Sequence, residues 1–239
     1  MKKVLCFIVL SLALGVATVA QAAGKPRIGV MRFTNNTNAG WWHGGVGSDL
    51  QDMLISELAD TKAFSVLERK ELDRVIGELR LGESGLVDES TKSKLGRLKG
   101  AKYLVAATVS AFEEQTSGTG GGISAFGFTV GGKKEKAYLA VDLKLIDVET
   151  GEIADSRTVE ATASSGGANI SGGIGFVGGE LSKYEKTPTG KAIRACIIEM
   201  SEYLECSLTK DDGDECRQKY AAKNVKRKEK TKKAVELDE

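Results

Sequence analysis

The chain contains one histidine, His43, set in the stretch Trp41-Trp42-His43-Gly44-Gly45. No cysteine or carboxylate accompanies it in that stretch, so it has no local partners for a metal site or for base catalysis. Neither a Gly-x-Ser-x-Gly elbow nor a Cys-x-x-Cys pair occurs anywhere, which removes two common catalytic frameworks. Gly127 to Lys133 has the spacing of a phosphate loop. However, Lys134 stands where Ser or Thr is required, and strand-like sequence follows where a helix should begin. A charge surplus is missing too: 34 basic and 33 acidic side chains leave a net charge of +1. Such balance provides no dedicated nucleic-acid surface. These absences predict a protein that binds or assembles instead of catalysing, with no cofactor, metal or nucleic-acid partner.

What is present at the N-terminus points to export. Lys2 and Lys3 precede an apolar run from Val4 to Val19, and Ala20-Gln21-Ala22 supplies a small-x-small cleavage pattern. The run is shorter than the roughly 20 residues of a spanning helix, so residues 1–22 are expected to be a signal peptide. Cys6 lies too early to be a lipid-bearing cysteine after the cut. Cys196, Cys206 and Cys216 remain in the processed chain. An odd number leaves one thiol unpaired in an oxidising compartment. Cys206 and Cys216 flank a polar loop with an Asp-Gly turn and are the disulfide candidate. Cys196 falls on an apolar helical stripe, as a small buried hydrophobe would. The basic stretch 223–233 and its surroundings, residues 211–239, are expected to form a polar, solvated, disordered tail.

Between the ends, strand and helix patterns alternate. Arg27 to Phe33 and Phe64 to Leu67 read as short strands, and Asn35 to Gly45 as a turn-rich loop. Ser48 with Gln51 has the capping-box spacing, opening a helix whose apolar face is Leu50, Met53, Leu54 and Leu58. Leu72, Val75, Ile76 and Leu79 mark a second amphipathic helix, and Asp88 is placed to cap a third ending at Gly100. Ala101 to Phe112, Tyr138 to Ile146 and Ile153 to Ala163 are strands, the last two joined by a turn at Glu149–Glu152. Pro188 opens a final helix with the stripe Ile193, Cys196, Ile197, Met200 and Leu204. The predicted fold is α/β (α+β): one domain over 23–210, a mixed sheet with flanking helices.

Two segments depart from this pattern. Residues 115–132 and 161–179 carry no charge at all, and the runs 116–132 and 164–180 hold 14 of the 29 glycines. In a chain that is 28% charged, such gaps call for a reason. Each is about the length of a membrane-crossing hairpin, which needs two strands of roughly 9–11 residues. Phe126, Phe128 and Val130 alternate with Gly127 and Thr129. Ile170, Ile174 and Phe176 alternate with Ser171, Gly173 and Gly175. Flexible glycine loops on a soluble domain are the competing interpretation, because glycine weakens strands. Two hairpins cannot close a barrel alone, so the membrane interpretation requires a homo-oligomeric ring.

Several stretches in this order resemble the CsgG family of outer-membrane secretion channels for curli subunits. They are Ile28–Phe33, then Phe64-Ser65-Val66-Leu67-Glu68-Arg69 with Leu72 and Glu78, then Ala101–Val105. The run Ala140–Asp147 continuing into Thr150-Gly151-Glu152-Ile153 completes the set. The resemblance covers about Arg27 to Leu204. It implies a ring of identical subunits in the outer membrane or facing the periplasm, each giving two hairpins to a shared barrel. It implies passive passage of an unfolded secreted polypeptide, with accessory secretion proteins as further partners. Matching the family's constriction loop onto this chain points to Asn38, Trp41 and Trp42 as pore-lining candidates. The alternative function is a soluble periplasmic adaptor in envelope assembly.

Overall fold

A computed structural model describes residues 24–118, 123–125, 128–130, 133–165, 186–209 and 213–234. The expected signal peptide, and Phe126, Ile170, Ile174 and Phe176, lie outside the described residues.

One mixed sheet organises the domain. Its strands are β1 (Arg27–Val30), β2 (Thr34–Asn35), β3 (Ser65–Leu67), β4 (Tyr103–Gly118), β7 (Lys133–Asp147) and β8 (Ile153–Ser164). A separate two-stranded ribbon pairs β5 (Ile123–Ala125) with β6 (Phe128–Val130). The order in the main sheet is β3-β1-β4-β7-β8, with β2 also on β4. The first strands pair in parallel, and β4, β7 and β8 run antiparallel. The alternation seen in the sequence decides which face is covered. Val105, Ala107 and Val109 of β4, with Leu139, Val141, Leu143 and Leu145 of β7, are all buried. The alternate residues Ala106, Thr108, Asp142 and Lys144 are less so.

Helix α1 (Val46–Asp60) and helix α3 (Pro188–Thr209) close that buried face. Leu54, Leu58, Ile193, Ile197, Met200 and Leu204 are among the largest fully buried side chains, and burying each stabilises the fold by about 1.5–3 kcal/mol. The capping box expected at Ser48 is absent. The helix begins earlier, at Val46 after Gly45, with no side-chain cap. Gly45 has φ 99, a conformation that favours glycine. Gln51 is buried instead and donates from Nε2 to the Val30 carbonyl at 2.7 Å, fastening α1 to the end of β1.

Helix α2 (Leu72–Glu83) forms where its periodicity predicts, yet only Gly82 of its residues is buried. The third helix expected after Asp88 does not form. Asp88 accepts from the Ser90 amide and hydroxyl at 2.8 and 2.6 Å, a local turn that competes with helix. The largest departure lies at the C-terminus. Residues 213–234, placed in a disordered tail, form helix α4 (Gly213–Ala234).

Candidate functional site

The three long strands outrun the domain at one end. Beyond Val109, β4 continues to Gly118 after a bulge between Val109 and Ala111, paired throughout with β7 down to Gly118↔Lys133. Ala137, opposite Glu114, is still buried, so the part that projects is Gln115–Gly118, about 13 Å at the usual strand rise. On the other side β8 follows β7 as far as Lys136↔Ser164. The charge-free segments begin within these strands, at Gln115 of β4 and Ala161 of β8. Inside the first, Phe128 and Val130 belong to β6, in register with Ala125 and Ile123. Of the segment 115–132, the described parts are the end of β4 and the short β5–β6 ribbon.

The loop before α1 stands at the root of this projection. The Asn36 amide donates to the Val109 carbonyl at 2.9 Å, and the Trp42 amide to the Ala39 carbonyl at 3.0 Å. Asn35 Oδ1 accepts from both the Thr37 amide and the Thr37 hydroxyl, at 2.9 and 2.7 Å, and Thr37 Oγ1 accepts from the Ala39 amide. This self-bonded turn leaves Asn38 exposed and Trp42 half-buried. Trp41 behaves differently and corrects the expectation that it lines a pore. It is only 3% exposed, edge-on to Phe112 of β4 at 5.7 Å and to Trp42 at 5.6 Å. Its indole fills a gap where β4 begins to leave the core, and its Nε1 is buried without a hydrogen-bond partner. Of the three loop candidates, only Asn38 and Trp42 keep exposed surface.

The C-terminal pair is as the sequence predicts. Cys206 and Cys216 form a disulfide, with Cα atoms 5.9 Å apart. Cys196 is a buried free thiol, and burial pushes its pKa up to about 12. The disulfide starts α4 along the outer edge of β8. There Cys216, Tyr220, Asn224 and Arg227, spaced by one helical turn, face the sheet and α3. Arg157 of β8, with a side chain 10% exposed, is the centre of this contact. Its guanidinium lies 4.3 Å from the Tyr220 ring and 4.9 Å from the Tyr203 ring, donates to the Tyr220 carbonyl, and pairs with Glu199 at 3.5 Å. Tyr203 donates to Asp155 at 2.5 Å. Burial and this carboxylate both push the Tyr203 phenol up. Further along, Arg227 pairs with Glu160 at 3.2 Å. No periodic apolar face announced this helix. The signal that could have found it is the narrow Cys-Tyr-Asn-Arg stripe.

Among the described residues no group of His, Cys, Asp or Glu could hold a metal ion, and no helix is long and apolar enough to cross a membrane.

The chain is thus a mixed-sheet α+β domain whose strands lead into glycine-rich segments. It matches the model of the family described as curli production assembly/transport component CsgG over residues 10–235, and belongs to that family. It is 28% identical over 117 residues to CsgG of Escherichia coli K12, covering 47% of this chain and 42% of that protein. It is 31% identical over 154 residues to the candidate lipoprotein NMB1126/NMB1164 of Neisseria meningitidis serogroup B, covering 64% of this chain and 61% of that protein. The matched region thus spans about half the length of these relatives. A solved structure, protein CT253 of Chlamydia trachomatis, overlaps 77% of this chain and 97% of its own at a TM-score of 0.45 and 11% identity. The chain is a CsgG-like protein of the cell envelope.

Proposed function

We propose that the chain is one subunit of a homo-oligomeric outer-membrane pore through which an unfolded extracellular polypeptide, of curli type or another, passes without catalysis or cofactor. The observation that carries this reading is the continuous β4–β7 ladder out to Gly118↔Lys133. It starts the first charge-free segment as an antiparallel pair, Gln115–Gly118 against Lys133–Lys136, the pairing a barrel wall would continue. The second segment leaves β8 at the same end. Asn38 and Trp42 stand at the root of the ribbons, where a ring would narrow. The uncovered side of α2, with Val75 39% and Leu81 43% exposed, is a face that a neighbouring subunit would cover.

Fractionation tests it. The intact protein and a variant lacking residues 116–132 and 164–180 are expressed, and soluble periplasm is separated from outer membrane. The pore reading expects the intact protein in the outer membrane, as a large ring after detergent extraction, and the variant released. Recovery of both as small soluble species would replace it with a periplasmic adaptor whose insertions are surface loops.

A further inference from the structure

Helix α4 is the most strongly charged element of the protein. Between Gly213 and Ala234 it carries nine Lys or Arg and three Asp or Glu, and Lys226, Lys228, Lys230, Lys232 and Lys233 are all exposed. Three anchors set its direction: Cys216 on Cys206, the Tyr220 carbonyl on Arg157, and Arg227 on Glu160. From Arg157 to Glu160 the strand β8 climbs toward Ser164, so α4 climbs the same way. Arg227 sits level with Glu160, which pairs with Ala140. The six residues beyond Arg227 add about 9 Å of helix. That brings Lys233 toward the level of Lys136 and Ser164, about 10 Å short of Lys133, the last charged position of β7. At this level β4 and β7 carry Glu113, Glu114 and Glu135 against Lys133, Lys134 and Lys136, an even balance. α4 adds net positive charge there, beside Lys186 and Lys191 at the start of α3.

We propose that the lysine-rich end of α4 is a docking surface for the anionic headgroups of the membrane that the glycine-rich segments enter. Two observations choose this occupant. The end has five exposed lysines with a single acid, Glu229, among them, which is the charge complement of an acidic lipid surface. The helix ends within about 10 Å of Lys133, where β7 loses its last charge, a distance lysine side chains span in part. A headgroup layer must lie near that level if the segments are in the hydrocarbon. α4 has no apolar face, so the contact is electrostatic and lies on the surface without insertion. The height argument rests on the pore reading; the charge argument does not.

The test is flotation of the processed full chain with vesicles of phosphatidylcholine, alone or mixed with phosphatidylglycerol. Binding should need the anionic lipid and weaken as salt rises. A Lys near such a surface is worth about 1 kcal/mol, or roughly fivefold. Replacing Lys228, Lys230, Lys232 and Lys233 by Gln should therefore cost a hundredfold or more in affinity, while replacing them by Arg should cost little. Equal binding by the Gln variant, or binding indifferent to phosphatidylglycerol, would overturn the proposal. The variant lacking 116–132 and 164–180 separates the two ideas. If it still floats in a lysine-dependent way, the docking surface stands whatever becomes of the pore. If the intact protein is embedded in the outer membrane and its lysines make no difference, the docking surface falls alone.

Discussion

Two tryptophans adjacent in sequence do different work. Trp41 is buried against Phe112, and Trp42 stands half out of the loop. Trp41→Ala should therefore destabilise the domain by about 3–5 kcal/mol, as large core deletions do. Asn38→Ala and Trp42→Ala should each cost far less in urea unfolding and act on transport. A loss of stability at Trp42 matching that at Trp41 would contradict this division. Sequence alone did not separate them, because tryptophan suits a core and an interface equally well. Cys196 was legible, since its neighbours on the stripe are all apolar. Its thiol keeps its proton to about pH 12 against an ordinary value of 9.0. The unfolded chain gives up that proton near pH 9, so this group's contribution to stability is complete below that pH and falls away between 9 and 12. In the exported, processed protein with Cys206 and Cys216 joined, a thiol reagent at pH 8 should label nothing in the native state and one cysteine after denaturation.

At the scale of elements, strands were the most readable part. Tyr138 to Ile146 alternates because one face of β7 meets α3 and the other does not. The extra length of β4 and β7 was not readable, since Gln115 to Gly118 and Lys133 to Lys136 have no alternation to show. Helix α4 was missed for a related reason. Lysine-rich helices show no hydrophobic period, and this one is held by a disulfide, the edge-to-face Tyr203–Tyr220 rings, and the ion pairs Arg227–Glu160 with β8 and Lys223–Glu199 with α3. Removing the covalent part should expose that dependence. Cys206→Ser with Cys216→Ser should lower stability by about 2–4 kcal/mol. Amide exchange in 213–234 should rise toward that of a free chain while β4 and β7 stay protected. Unchanged protection of α4 would show that Arg157 and its two tyrosines suffice. The capping box failed because Gln51 had a stronger use inside the core, on the Val30 carbonyl.

For the molecule as a whole, membership of the CsgG family and the mixed-sheet fold were both legible, and they rest on the same residues: the strand pattern and the Ala140–Ile153 run. Assembly belongs to this scale as well. Val75→Glu alters only an exposed position on α2, so it should change folding stability by less than about 1 kcal/mol. It should still reduce the particle seen after detergent extraction to smaller species, and an intact ring would argue that α2 faces solvent in the assembly. One further matter follows from where α3 lies along the chain. The sheet's buried face has no cover over β7 and β8 until residues 188–209 arrive, after every strand has been made. A nascent chain leaving the cytoplasm head first would have exposed most of its length before its core could close. Late closure keeps the polypeptide loose enough to be threaded outward, and the disulfide between Cys206 and Cys216 can lock the last turn only on the oxidising side.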